Sequence, residues 1–239
     1  MDEFLRTRAL IGSEAQERLR CAHIVVAGAG GVGGYCLEGL VRAGIGAITA
    51  VDGDVVSVTN CNRQLLALHS TCGRAKVLVA RERMLDINPR LRFEAVREWI
   101  GPDTLGRLPA QADYIVDCID DTAAKLLLAS FCRENRIPFI MCMGTGNRLS
   151  AQGLRIVNFD QTAGCPLAKK MRGLLRKAQY QNLRVLYSAD PVLPAYPIGD
   201  GGKQTVGSIS FVPSAAGLKL AEHVCQRLIG QSAAADIPE

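Results

Sequence analysis

The stretch V-V-A-G-A-G-G-V-G-G-Y-C at 25–36 limits what this chain can fold into more than any other segment. Five glycines fall between positions 28 and 34, straight after the apolar run at 23–27. Glycine lets a backbone turn this tightly and lets an anion approach bare N–H groups. The spacing Gly28-x-Gly30-x-x-Gly33 is that of a turn from a buried strand into a helix, whose N-terminus carries partial positive charge. A second apolar run, 47–52, ends in Asp52, nineteen residues after Gly33. An acid near that spacing suits ribose hydroxyls. With a helix over 31–43 between them, the two runs make a βαβ unit.

The same alternation continues. The periodicity predicts helices over 73–88 and 123–135 and strands over 91–96, 114–119 and 138–143. These elements specify an α/β fold with a Rossmann-like, doubly wound, mostly parallel sheet and helices on both faces. Beyond Gly144 the pattern changes. Strands are expected over 154–159 and 184–188, with a basic helix between them starting near Pro166, and a closing helix over 213–229. This is a C-terminal α+β extension. The Pro- and Gly-rich run 190–207 reads as a long loop, and the last eight residues are expected to fray. No repeat or linker divides the chain. One domain is expected, its nucleotide-binding part at about 6–145 and a substrate-binding extension at about 146–230.

Composition sets the class. The chain is 48% hydrophobic and 21% charged, which is ordinary for an ordered soluble protein. No apolar stretch approaches the roughly 20 residues of a membrane span. The N-terminus has mixed charge and no apolar signal core, so a cytoplasmic protein without a membrane partner is expected. Nine cysteines are scattered with no C-x-x-C pair, which argues against zinc and against a disulfide framework. A net charge of +5 points only mildly to an anionic partner.

The glycine turn alone suits a nicotinamide enzyme or an ATP enzyme, and the residues after it shift the balance. Asp52-Gly-Asp54 leads into V-S-V-T-N-C-N-R-Q, which packs Asn60, Asn62, Arg63 and Gln64 into one polar run. A guanidinium matches phosphate oxygens with two parallel bonds, and Lys76, thirteen residues after Arg63, opens the next helix. Asp120 ends a parallel strand, where ligands of such sheets bind, and beside a triphosphate it is a natural magnesium ligand. Asp121 suits the N-cap of the following helix.

G-x-G-G-x-G, D-x-D, N-x-N-R-Q, G-x-x-K and D-x-x-D-D, in that order, resemble the adenylating domain of the ubiquitin-activating-enzyme-like (ThiF/MoeB/HesA) superfamily. The resemblance implies ATP and Mg2+ as cofactors. It places Asp52, with Asp54 beside it, at the ribose. Gly28, Gly30, Gly31 and Gly33 lie under the phosphates, which Asn60, Arg63, Gln64 and Lys76 hold. Asp120 takes the metal, with Asp121 beside it. Arg6, in R-T-R-A-L-I-G, matches an arginine that reaches the partner subunit's triphosphate, which implies a homodimer; Arg8 is the alternative register. A monovalent cation, Na+ or K+, is a further cofactor that the resemblance suggests.

Two departures narrow the family. The zinc cysteine pairs of the sulfur-carrier branch are missing, and so is the cysteine domain of the much longer ubiquitin branch. M-G-T-G-N-R-L at 143–149, C-P-L-A-K-K-M-R at 165–172, R-V-L-Y-S at 184–188 and V-G-S-I-S-F-V-P-S at 206–214 extend the likeness nearly to the end. With them the chain is similar to the tRNA threonylcarbamoyladenosine dehydratases. The implied activity is ligase-like: ATP adenylates the threonine carboxylate of the modified nucleoside in tRNA, and a ring closes with release of AMP.

The helix from Pro166 carries Leu167, Met171, Leu174 and Leu175 on one face. Lys169, Arg172 and Arg176 lie opposite, flanked by Lys170 and Lys177, as a candidate tRNA-binding face or an ordinary solvated one. Cys165 stands at the start of that helix, where a thiol can be activated, but ring closure needs no thioester and a structural role is expected. Three other readings stay open at this point. They are an activator of a ubiquitin-like sulfur carrier protein, a nicotinamide dehydrogenase, and a non-catalytic adaptor for tRNA or for a cysteine desulfurase. The desulfurase is also a possible sulfur-transfer partner of the enzyme.

Overall fold

The structure is a computed structural model that describes residues 2–196, 206–230 and 233–239. Two short helices, α1 (Leu5–Ile11) and α2 (Ser13–Cys21), precede β1 (His23–Ala27), α3 (Gly33–Ala43) and β2 (Ala47–Val51). Then come α4 (Lys76–Ile87), β3 (Arg92–Val96), α5 (Pro102–Leu105), β4 (Tyr114–Asp117), α6 (Thr122–Asn135) and β5 (Phe139–Cys142). The second half adds β6 (Leu154–Asn158), α7 (Pro166–Lys177), β7 (Arg184–Ser188) and α8 (Phe211–Ile229).

The strands form one seven-stranded sheet in the order β3-β2-β1-β4-β5-β7-β6, parallel except for β6, which runs antiparallel to β7. Of the five interior strands, β1, β2, β4 and β5 are apolar along nearly their whole length because helices cover both faces. Alternate side chains divide between the two sides. Ile24, Val26, Ile48 and Val116 pack with α2, α3, α4 and α8. Val25, Ala27, Ile115 and Met141 pack with α6 and α7. The doubly wound, mostly parallel sheet read from the sequence is therefore the fold observed.

Several expectations need correction. The helix expected over 73–88 starts at Lys76, because Val55 and Ala75 form an isolated bridge just before it. The helices α1, α2 and α5 have no counterpart in the sequence reading; they are short, and α1 buries none of its residues. The last eight residues do not fray where they are described. Asp236 is only 1% exposed and lies against Tyr114 at the start of β4, with its Oδ2 accepting the tyrosine hydroxyl at 2.7 Å. Of the long loop at 190–207, residues 197–205 lie outside the described part, and the segments on either side are joined by Asn147. Its carbonyl accepts from Leu193 N at 2.8 Å and its side-chain oxygen from Gly207 N at 2.6 Å.

Candidate active site

The carboxyl ends of β2, β1 and β4 lie side by side, which brings three loops together. The glycine turn follows β1. Gly28 adopts φ of 91°, and a Cβ there would stand 2.9 Å from the Cys118 carbonyl oxygen. Gly33 is equally fixed, since its Cβ would fall 1.8 Å from Gly28 O. No other residue fits either place. Gly30 faces the Gln64 amide, and Gly31 is bracketed by Arg63 and by Pro213 of α8.

Asp52, just past β2, is built into the turn: its Oδ2 accepts from Ala29 N at 2.7 Å and its Oδ1 from Asp54 N at 2.8 Å. Lys76, at the first position of α4, is 5% exposed, and its Nζ donates to Asp54 Oδ2 at 2.8 Å. Arg63 is half-buried and donates to Thr59 O at 3.0 Å and Asn62 Oδ1 at 2.9 Å. Asn60 caps its own short turn by accepting from Ser57 N. The Gln64 side chain is buried, and its Oε1 has no hydrogen-bond partner in the chain. Of the residues singled out after the turn, Asp52, Arg63 and Gln64 thus lie against it, while Lys76 is held through Asp54.

On the other side, β4 ends at Asp117 and the chain runs on to an exposed Asp120. The Asp120 carboxylate makes no hydrogen bond or ion pair among the described residues, whereas Asp121 caps α6 by accepting from Ala124 N at 2.7 Å. Sequence reasoning missed what sits beneath them. Asp117 and Lys125 are both fully buried, with Lys125 Nζ 3.0 Å from Asp117 Oδ2 and 2.6 Å from the Cys142 carbonyl oxygen at the end of β5. Burial pushes the Asp117 carboxyl up despite the ammonium beside it. Its other oxygen accepts from Ile119 N at 3.0 Å and so shapes the loop that presents Asp120. A signal existed: Lys125 shares its helix face with Leu128, Ala129 and Cys132, where a lysine is out of place unless paired.

Arg6 and the basic helix lie apart from these loops in the sequence. Arg6 is exposed on α1 and makes no ion pair among the described residues, while Arg8 is bound to Asp2 at 2.5 Å. On α7, Lys169, Lys170, Arg176 and Lys177 are exposed. Arg172 is not part of that free face. Its guanidinium turns inward and donates to the Thr162 carbonyl and, at 2.8 Å, to the Thr162 hydroxyl, because that loop packs against the helix. Cys165 is buried at the N-cap of α7, and its sulfur accepts from Ala168 N. Among the described residues, no group of three or more His, Cys, Asp or Glu is placed to hold a metal, and no helix is long and apolar enough to cross a membrane.

The tRNA threonylcarbamoyladenosine dehydratase of Bacillus subtilis (strain 168) is 34% identical over 242 residues, covering 96% of this chain and 95% of that protein. The protein of the same name from Escherichia coli (strain K12) is 39% identical over 171 residues, covering 71% of this chain and 64% of the relative. Among solved structures, E. coli tRNA N6-threonylcarbamoyladenosine dehydratase in complex with ATP matches with a TM-score of 0.88 at 31% identity, covering 97% of this chain and 95% of that one. The likeness therefore runs through the extension as well as the glycine turn. The model described as the ThiF family matches residues 4–236, and with these relatives it establishes that the chain belongs to the ThiF family.

Proposed function

We propose that this chain is an ATP-dependent enzyme that dehydrates threonylcarbamoyladenosine in tRNA to its cyclic form. The observation that carries the reading is the near full-length match, in sequence and in fold, to dehydratases of that name, one of them solved with ATP. A carboxylate is a poor electrophile because oxide would have to leave. When a carboxylate oxygen of the nucleoside attacks the α-phosphorus, pyrophosphate departs and the acyl group now carries AMP. The neighbouring carbamoyl group closes on the acyl carbon, AMP leaves with that oxygen, and the nucleoside has lost one water. The second step needs no protein nucleophile, since well-oriented intramolecular attack is worth roughly 7–11 kcal/mol.

The chain's own residues divide the first step among them. The N–H groups from Gly28 to Gly33 lie along the phosphates, and Asp52, already locked to the turn, takes the ribose. Arg63 and Lys76 bind phosphate oxygens and stabilise the charge that develops at the α-phosphorus. Gln64 offers the N–H groups of its Nε2, the atom that faces Gly30, and Asn60 its amide from the rim. Magnesium fits the residues present, because Asp120 is an exposed carboxylate with nothing else bound to it, and the ion would neutralise phosphate charge there. Arg6, left unpaired where Arg8 is not, supports a homodimer in which it reaches the other subunit's ATP. Lys169, Lys170, Arg176 and Lys177 form the patch offered to tRNA phosphates.

The test supplies the purified protein with ATP, magnesium and tRNA bearing threonylcarbamoyladenosine, then measures the nucleosides by mass spectrometry. The expected result is loss of one water from that nucleoside, dependent on ATP. An unchanged nucleoside alongside turnover of a Gly-Gly-ended carrier protein would replace this reading with sulfur-carrier activation.

A further inference from the structure

Trp99 is the chain's one tryptophan and stands 67% exposed. The indole is nonetheless placed by its surroundings. A Cβ at Gly53 would lie 2.7 Å from its Cε2 and Nε1 and 2.8 Å from its Cδ2, so one face of the ring lies over the bare backbone between Asp52 and Asp54 and the other is left open. The backbone of Trp99 is tied down from α5: the buried Thr104 donates to the Trp99 carbonyl at 2.6 Å, and Arg107 is paired with Glu98. With one face on Gly53, the other face of the indole is free to receive a second ring by offset stacking.

The sheet order identifies that partner. Moving outward from the centre, the strands run β1, β2, β3, and each delivers one loop to the same end of the sheet. The glycine turn follows β1, Asp52 follows β2, and Trp99 follows β3. A nucleotide with phosphates on the first and ribose on the second extends its base towards the third. We propose that Trp99 is the wall of the base subsite and stacks its open face on the adenine of ATP. The proposal rests on the reading of this site as an ATP site and adds the residue that recognises the base. Base–aromatic stacking tolerates any π-face, so Trp99 contributes affinity for a base more than choice among bases.

Because no other tryptophan is present, emission excited at the red edge, where the five tyrosines absorb little, reports on this ring alone. Titration with ATP and magnesium is expected to change Trp99 emission to saturation, with a midpoint near the KM for ATP in pyrophosphate release. Inorganic tripolyphosphate, which has the phosphates without a base, is expected to compete with ATP yet leave the emission unchanged. Trp99→Ala is expected to raise the KM for ATP about 10- to 100-fold with kcat within about twofold, since the base is remote from the reacting phosphorus. Trp99→Phe keeps a π-face and is expected to restore KM to within about fivefold. Emission blind to saturating ATP, an equal response to tripolyphosphate, or an unchanged KM in Trp99→Ala would each overturn the assignment while ATP turnover stands. If the unaltered protein forms no AMP from ATP, the site reading itself fails and takes the proposal with it.

Discussion

At the scale of the residue, Lys76 and Arg63 carry the same charge in different settings, and the difference is measurable. Lys76 is buried and its ammonium is held by Asp54, whereas Arg63 is only half-buried and bonds within its own loop. Replacing Arg63 by alanine is expected to cut ATP-dependent pyrophosphate release about 100-fold, the scale of removing one charge-stabilising donor, with the melting temperature unchanged. Lys76→Ala is expected to match that loss and also to lower melting by roughly 2–4 °C, the shift that about 1 kcal/mol produces in a chain of this size. Activity assays paired with thermal melts separate the two. If Arg63→Ala turns over normally, its place among the phosphate ligands is lost. Arg63 and Lys76 were legible in the sequence because charged residues are conspicuous in a crossover that a dinucleotide fold leaves neutral. Gln64, by contrast, was visible only as part of a polar run; its orphan Oε1 emerges once the fold buries it.

At the scale of the element, α6 and α7 each carry lysines or arginines, with opposite meanings. Lys125 of α6 is sealed against Asp117 and the end of β5. Lys125→Met leaves an uncompensated buried carboxylate and is expected to cost about 3–5 kcal/mol in denaturant unfolding. The double change Lys125→Met with Asp117→Asn is expected to recover part of that loss; no recovery would show that the pair is not the source. On α7 the charges face solvent. Alanine at Lys169, Lys170, Arg176 or Lys177 is expected to weaken tRNA binding and flatten its salt dependence, because the slope falls by roughly one for each phosphate that the protein no longer neutralises. Arg172→Ala is expected to lower stability instead, because that guanidinium is occupied by Thr162. The periodicity of α7 gave its apolar side correctly, with Met171 and Leu175 buried. It could not separate Arg172 from its neighbours, since which loop folds against a helix is a tertiary matter.

At the scale of the whole molecule, the chain is closed by its tail. The Asp236 carboxylate receives Tyr114, His223 and Arg227, the last two at 2.9 and 3.0 Å, and residues 181–182 exchange backbone hydrogen bonds with Glu239. Burial alone would raise the Asp236 carboxyl; the hydrogen bonds from His223 and Tyr114 and the cations outweigh it and hold the group below its ordinary range. A carboxylate lowered in this way stabilises the fold above its unfolded pKa and loses that contribution as pH falls through the folded value. The melting temperature is therefore expected to drop in acid below about pH 4. Asp236→Asn is expected to melt lower than the parent at pH 7 and to converge with it in acid; parallel curves would remove Asp236 as the cause. Composition hid this latch, because A-A-A-D-I-P-E looks like any short alanine-rich stretch and the groups that receive Asp236 come from β4 and α8. The sheet itself was readable because buried parallel strands are written as continuous apolar runs.

The packing of α8 on α3 has a consequence in time as well as in space. Gly217 of α8 lies so close that a Cβ would come 2.3 Å from Val32 O, and Pro213 abuts Gly31, so the floor of the nucleotide turn comes from a helix far along the chain. A ribosome delivers the glycine motif well before the helix that supports it, while folding proceeds from the N-terminus. Nascent chains arrested before residue 211 would then display the whole glycine turn and still bind ATP poorly, gaining that capacity only once α8 is made.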